Sequence, residues 1–192
     1  MRLVLVPLKQ ELKSLVSVLN RVEKNPDGYK YKDLQLVVGG LGKLKFALST
    51  YKYVLKYSPE KVYAVGSCGS LKDLKPLEVV QVQKVVEHDF RSSFVKTPEY
   101  INDSIEFEIL KKVVCASGDM DVVTEEVKTG ILERTSADIV TWESAGFFSA
   151  MSEFSVPYAE IRVVTDLANE GVVEDFKRNL SLGMKEVGDL FK

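Results

Sequence analysis

Residues 139–169 read IVTWESAGFFSAMSEFSVPYAEIRVVTDLAN and contain two acids at the junctions of predicted elements. Glu143 follows a short apolar run and precedes 144–154, where apolar residues recur with helical spacing. Asp166 comes just after 159–164, an apolar run typical of a buried strand. Open α/β sheets bind ligands at the carboxyl ends of their strands, so both carboxylates are site candidates. Acids also stabilise helix N-termini, so spacing alone leaves a structural role equally open.

Three short motifs follow one another in this stretch: Val140–Gly146 (VTWESAG), Val156–Tyr158 (VPY) and Ile161–Asp166 (IRVVTD). Their order resembles the signature of the nucleoside phosphorylase and nucleosidase superfamily. In that superfamily a Met-Glu pair opens a helix, and Ser-Asp or Thr-Asp follows a strand that begins after Val-Pro. By pattern, the most similar members are the methylthioadenosine/S-adenosylhomocysteine nucleosidases.

Alternation of predicted strands and helices along the chain indicates the α/β class. Examples are the strand 3–6 before the helix 9–22, and the strand 61–65 after the helix 44–57. Periodicity does not give the topology. The resemblance implies a three-layer α/β/α sandwich with a central mixed β-sheet, formed by one domain over residues 1–192.

Composition restricts the partners and the compartment. The 192 residues are 45% hydrophobic and 28% charged, as in ordinary globular proteins. A net charge of −2 disfavours nucleic acid, and no apolar run approaches the roughly 20 residues that span a bilayer. The N-terminal apolar run is too short for a signal peptide, so we expect a cytoplasmic protein. Cys68 and Cys115 lack CxxC spacing and there is one histidine, so neither a metal nor another cofactor is expected.

Two glycine-containing turns follow predicted strands. Gly39–Lys43 (GGLGK) is suited to binding an anion or to making a tight turn, and the resemblance places it beside the active site. Gly66–Ser70 (GSCGS) matches a superfamily motif whose small residues let the backbone approach ribose and base closely. Ser117-Gly118-Asp119 is similar to a third segment, and the residues after it, including Val122, are expected to contact the base.

The resemblance assigns roles to individual residues. Asp166 would be the acid that protonates or hydrogen-bonds N7 of a purine, for which burial must raise its pKa. Glu143 would accept hydrogen bonds from the ribose 2′- and 3′-hydroxyls, and Glu11 would activate water. Glu11 also suits a first-turn helix acid. The remaining residues expected to bind substrate are Trp142, Ser67, Cys68, Gly69, Thr165 and Val122.

The sequence favours hydrolysis of a purine nucleoside such as methylthioadenosine, S-adenosylhomocysteine or a related 5′-modified nucleoside. Phosphorylases of the superfamily carry two arginines that are replaced here by Pro7-Leu8-Lys9 and Ala64. Lys9 and Lys43 are the candidates to supply the missing charge, so phosphorolysis remains an alternative. The predicted partner is a small nucleoside, and the resemblance also implies a homodimer or a higher homo-oligomer.

Three departures from the pattern leave a nucleoside-binding protein with little catalysis as a third hypothesis. Thr141 stands where many relatives carry another acid, Trp142 replaces Met, and Asp121 stands where nucleosidases place Phe. His88, followed by Asp89, is predicted to be a hydrogen-bonded element near the rim and not the catalytic base.

Overall fold

The computed structural model describes residues 1–104 and 106–192. Within these ranges the chain forms ten strands and five helices. The strands are β1 (Arg2–Val6), β2 (Glu23–Asn25), β3 (Gly28–Tyr31), β4 (Leu34–Val38), β5 (Lys61–Ser70), β6 (Val79–Glu87), β7 (Glu99–Ile101), β8 (Lys111–Ser117), β9 (Ile139–Thr141) and β10 (Tyr158–Asp166). The helices are α1 (Lys9–Val16), α2 (Lys43–Tyr57), α3 (Glu125–Thr135), α4 (Ser144–Met151) and α5 (Val172–Asp189).

All strands belong to one mixed sheet. β1 lies between β4 and β5 and is parallel to both, and β10 is parallel to β5 on its other side. The order continues from β10 through β6 and β8 to β9, which returns antiparallel to the end of β5. One half of the sheet therefore closes on itself, while β4, β3 and β2 extend the open half. The parallel strands β1, β5 and β10 all end at the same edge.

Two layers of helices cover the sheet, and the alternation of side chains along β1 shows why. Leu3 and Leu5 face the core beneath α2 and α4, whereas Val4 and Val6 face the core beneath α1 and α5. All four side chains are fully buried. A strand buried on both faces must be apolar throughout, as the sequence LVLV is. The prediction of a mixed sheet between helices is confirmed, and the partial closure of the sheet was not predicted.

The predicted elements differ from the structure mainly at their ends. The helix predicted over 9–22 ends at Val16, and Arg21 has a left-handed backbone with a φ of 61°. Leu19 is nevertheless buried, so the helical spacing continues into a turn that packs on the core. The strand predicted over 61–65 continues to Ser70, because its second half pairs with β10 and then β9. Among the helices of the described residues, none combines the length and apolarity needed to cross a membrane.

Candidate active site

A cavity of about 510 Å³ opens at the shared edge where β1, β5 and β10 end. Its lining includes every residue that was predicted from the sequence to be catalytic or to bind substrate: Glu11, Ser67, Cys68, Gly69, Val122, Trp142, Glu143, Thr165 and Asp166. Three of these lining residues carry buried carboxylates: Glu11, Glu143 and Asp166 are each no more than 5% exposed. Such a concentration of buried negative charge is costly unless the fold supplies donors or the site binds something electropositive.

Glu11 is held between the first turn of α1 and strand β5. Its Oε2 accepts a hydrogen bond from the Leu8 N–H (2.9 Å), and its Oε1 accepts from Ser67 N (2.8 Å) and Ser67 Oγ (2.7 Å). The first of these bonds is the structural role anticipated for a first-turn acid. The two bonds to Ser67 are not part of a helix cap, and they orient the carboxylate within the cavity. A carboxylate offers about four lone-pair positions, so Oε2 retains one for a bound water.

Glu143 occupies the residue before α4, but its side chain does not cap that helix. Its Oε1 accepts a hydrogen bond from Gly42 N (3.3 Å), and its Oε2 lies 3.3 Å from Nη1 of Arg162. Burial raises the pKa of Glu143 to about 7, with Arg162 opposing the rise and Glu11 adding to it. The glycine turn before α2, with a φ of 86° at Gly42, thus donates to a carboxylate of the protein itself.

Asp166 ends β10, and both of its oxygens are oriented by neighbouring residues. Oδ1 accepts from the Ala168 N–H (3.0 Å), and Oδ2 accepts from Thr165 Oγ1 (2.9 Å). Burial raises the pKa of Asp166 above its ordinary value, although these two hydrogen bonds oppose the rise. A carboxyl group with a raised pKa retains its proton nearer to neutral pH, which a general acid requires.

Gly69 leaves space for the Asp166 carboxylate. A Cβ atom at position 69 would lie 2.8 Å from Asp166 Oδ1 and 3.2 Å from Val140 Cγ1. We therefore expect Gly69→Ala to displace Asp166 and to lower kcat by about 10-fold or more, because small misplacements of a reacting group are costly. Steady-state assays of folded protein measure this effect. Gly130→Ala is the control, because Gly130 is half-buried in α3 and an added Cβ there would meet only the flexible end of Arg134 at 3.2 Å. An unchanged kcat in Gly69→Ala would contradict the steric argument.

Arg162 and Glu160 are the functional residues that sequence reasoning missed. Both side chains are fully buried, with Arg162 Nε 2.6 Å from Glu160 Oε1. Arg162 Nη1 also donates to the Ser67 carbonyl oxygen (3.2 Å). Burial alone would lower the pKa of Arg162, but Glu160 and Glu143 outweigh it and keep the guanidinium charged. The signal was available, since two charges within the buried-strand sequence YAEIRVVTD require partners inside the protein.

His88 and Asp89 behave differently from each other. Asp89 is hydrogen-bonded as predicted, with Oδ1 2.7 Å from Lys43 Nζ and Oδ2 accepting from Asp119 N (2.9 Å). For His88 the prediction is wrong, since neither ring nitrogen has a hydrogen-bond partner among the described residues. Burial lowers the pKa of this imidazole, which does not line the cavity of the three carboxylates.

The exposed part of the cavity lining, called the mouth here, contains apolar side chains together with Gln10, Asp121 and Lys177. Trp142 is half-buried and Val122 is 6% exposed, and both line the cavity together with Asp121. The mouth is completed by further hydrophobic residues from the glycine turn, the segment before α3 and helix α5: Leu41, Met120, Val123, Val172, Val173 and Phe176. A partly apolar mouth leading to buried polar groups suits a ligand with one apolar end and one hydroxylated end.

An α/β fold with a carboxylate-lined cavity at the ends of its parallel strands defines a class of small-molecule enzymes. The family model described as "Phosphorylase superfamily" matches residues 3–192. The chain therefore belongs to the phosphorylase superfamily.

Curated relatives and solved structures are similar over most of the chain. An aminodeoxyfutalosine nucleosidase of Helicobacter pylori is 28% identical over 163 residues, covering 74% of this chain and 71% of the relative. A 5′-methylthioadenosine/S-adenosylhomocysteine nucleosidase of Thermotoga maritima is 25% identical over 150 residues, covering 73% and 69%. The structure of the futalosine hydrolase of H. pylori superimposes with a TM-score of 0.86 at 22% identity, covering 99% and 94% of the two chains. That structural likeness shows the shared fold.

Proposed function

We propose that this protein is a nucleosidase that hydrolyses the N-glycosidic bond of a 5′-modified purine nucleoside. The observation that carries the proposal is the meeting of Glu11, Glu143 and Asp166 in one buried cavity. Relatives named as methylthioadenosine/S-adenosylhomocysteine and aminodeoxyfutalosine nucleosidases support the substrate class.

Each carboxylate has a step suited to its surroundings. The protonated Asp166 donates its proton to N7 of the base while the bond between C1′ and the base nitrogen breaks. The electron pair of that bond passes to the base. Glu143 accepts hydrogen bonds from the ribose hydroxyls and stabilises the positive charge that develops on the sugar. Water then attacks C1′ and gives its proton to Glu11, whose Oε1 is held by Ser67.

Water is favoured over phosphate as the nucleophile because the candidate cations are already engaged or lie elsewhere. Lys43 Nζ lies 2.9 Å from Glu87 Oε2 and 2.7 Å from Asp89 Oδ1. Lys9 is exposed and outside the cavity lining. Arg162 lies behind Glu143 and Ser67 in an ion pair with Glu160. Lys177 of α5 does line the cavity, but it is exposed, so a phosphate dianion near Glu11 and Glu143 would have to rely on this one solvated lysine.

The test is incubation of the purified protein with methylthioadenosine, S-adenosylhomocysteine, adenosine, inosine and futalosine, each with and without phosphate. Free base and sugar are separated by chromatography. We expect base release without phosphate from a 5′-modified member of the panel. Release only with phosphate, with ribose 1-phosphate formed, would identify a phosphorylase. Tight binding without release would favour the nucleoside-binding alternative that Asp121 suggested.

We also propose a homodimer or a higher homo-oligomer. Four residues on one face of α2 support it: Leu44, Leu48, Tyr51 and Leu55 are 73%, 60%, 37% and 69% exposed. Their spacing of three and four residues forms a continuous apolar stripe, which monomers seldom expose. Light scattering should give at least twice the chain mass of 21.5 kDa. A fully active species of one chain mass would contradict this assembly.

A cytoplasmic location is proposed on the state of the cysteines. Cys68 and Cys115 are free and buried, as is common for proteins of reducing compartments. Burial raises the pKa of both thiols, so they are poor nucleophiles. Cell fractionation followed by immunoblotting should recover the protein with cytoplasmic markers, and recovery in the membrane or secreted fraction would contradict it.

A further inference from the structure

Glu160 is a charged residue in the middle of a buried strand, and it does not line the cavity. Its side chain is fully buried. Its Oε1 lies 2.6 Å from Nε and 2.6 Å from Nη2 of Arg162, and it also accepts from Ser144 Oγ (2.6 Å). Three short contacts converge on one oxygen. A buried carboxylate with this geometry neutralises the guanidinium directly beside it.

Arg162 has two carboxylate neighbours, Glu160 and Glu143, and it lies closer to Glu160. Its Nε donates to Glu160 Oε1 (2.6 Å), and Nη2 lies 2.6 Å from the same oxygen as a charge contact outside hydrogen-bond geometry, whereas Nη1 donates to Glu143 Oε2 over 3.3 Å. Nη1 also donates to the Ser67 carbonyl, which divides its interaction between two acceptors. The contact with Glu143 is therefore the weaker one.

We propose that Glu160 is a positioning residue: it binds the charge of Arg162 and thereby leaves Glu143 free to accept hydrogen bonds from the ribose. This inference rests on the proposed function, and it adds a residue that acts only through Arg162. A buried arginine without Glu160 would retain Glu143 as its nearest carboxylate partner, because an unpaired buried charge is strongly unfavourable. The guanidinium would then move toward Glu143 and compete with the substrate.

Glu143 faces charged or polar groups from three directions. These are Glu11 from α1, the Gly42 N–H before α2, and Arg162 with Glu160 from β10. Glu160 raises the pKa of Glu143 and Arg162 lowers it. Without the negative charge of Glu160, one cause that raises the pKa of Glu143 is lost, and the charge of Arg162, which lowers this pKa, is no longer neutralised. The pKa of Glu143 must then fall, and activity that requires its ionised form must persist to lower pH.

Ser144 and Thr141 extend the network and provide a rescue variant. Ser144 Oγ lies 2.5 Å from Thr141 Oγ1 and 2.6 Å from Glu160 Oε1. Position 141 is therefore at the other end of a short hydrogen-bonded chain that ends on the carboxylate. The double variant Thr141→Glu, Glu160→Ala moves the negative charge along this chain to a residue that also lines the cavity.

The test compares Glu160→Gln with the wild type by kcat, KM and the pH profile of kcat. Glutamine is isosteric, and Glu160 Oε2 has no hydrogen-bond partner within the described part of the chain, so an amide group there breaks no bond. We expect kcat to fall by about 10- to 100-fold, the range for groups that orient a functional residue, and the acid limb to move to lower pH. Partial recovery of kcat is expected in the double variant Thr141→Glu, Glu160→Ala relative to Glu160→Ala alone.

Glu99→Gln is the matched control, because Glu99 is ion-paired with Lys84 at the surface and should not affect kcat. Titration of the Glu143 carboxyl by ¹³C NMR, assigned with Glu143→Gln, gives a readout independent of turnover. A folded Glu160→Gln with wild-type kcat and an unmoved Glu143 titration would overturn the positioning role. Absence of base release from the wild type would instead refute the proposed function, and the NMR titration would still decide whether Glu160 controls Glu143.

Discussion

Asp166→Asn is expected to lower kcat by about 10²- to 10⁴-fold with little change in KM, as for removal of a general acid. Asparagine preserves the size of the side chain. Its Oδ1 still accepts from Ala168 N, and its Nδ2 donates to Thr165 Oγ1, whose own proton goes to the Cys68 carbonyl oxygen, so the fold should be retained. What it loses is an acidic proton for the leaving base. Burial raises the pKa of Asp166 and so helps the carboxyl group to keep its proton, whereas the amide of the variant has no such proton.

Leaving-group dependence makes this test specific. A riboside with 4-nitrophenolate as the leaving group needs no protonation, so Asp166→Asn should hydrolyse it at close to the wild-type rate. Asp73→Asn, the same substitution at an exposed position, is the control for the chemical change. Equal losses on the purine nucleoside and the nitrophenyl riboside would show that Asp166 positions the substrate and is not its acid.

The positions of the three cavity carboxylates could be predicted because each is adjacent to the end of a strand. Glu11 follows β1, Glu143 follows β9 and Asp166 ends β10. Apolar runs identify strands, and the parallel strands β1 and β10 end at one edge, so the sequence could place Glu11 and Asp166 together. Strand β9 is antiparallel to β5, and the place of Glu143 followed from the family resemblance. The hydrogen-bond partners of these acids were harder to predict, because the bond from Gly42 to Glu143, for example, joins residues 101 positions apart.

The parts that were not predicted depend on pairing between distant strands. Closure of the sheet through β5 and β10 brings residue 67 beside residue 162, and no local pattern encodes that register. The Arg162–Glu160 pair was visible as two charges in an apolar strand, yet its function follows only from its distances to Glu143. Similarly, the ring of His88, which has no hydrogen-bond partner among the described residues, lies against Gly118, 30 positions further along the chain.

Glu143→Gln is expected to lower kcat by at least about 10²-fold and, at the same time, to stabilise the protein above neutral pH. The loss of activity follows because a neutral amide cannot balance the charge that develops on the ribose. The gain in stability follows from linkage. Burial raises the pKa of Glu143 from 4.5 to about 7, so the folded state binds more protons than the unfolded state between these values. The wild type therefore loses stability as the pH rises through this window.

Glutamine has no such titration, so the advantage of the variant should be largest above pH 7, on the order of 3 kcal/mol. It should decline as the pH falls toward 4.5, the ordinary pKa that applies to the unfolded chain. Chemical denaturation at pH 8 and pH 5 measures the difference in the free energy of unfolding. Glu153→Gln, an exposed substitution just after α4, should be neutral at both pH values. A destabilised Glu143→Gln at pH 8 would mean that the long contacts with Gly42 and Arg162 outweigh the desolvation of the carboxylate. In that case burial of the ionised Glu143 would not lower the stability of the substrate-free protein. Glu143 would then have to be activated for catalysis by the bound ribose.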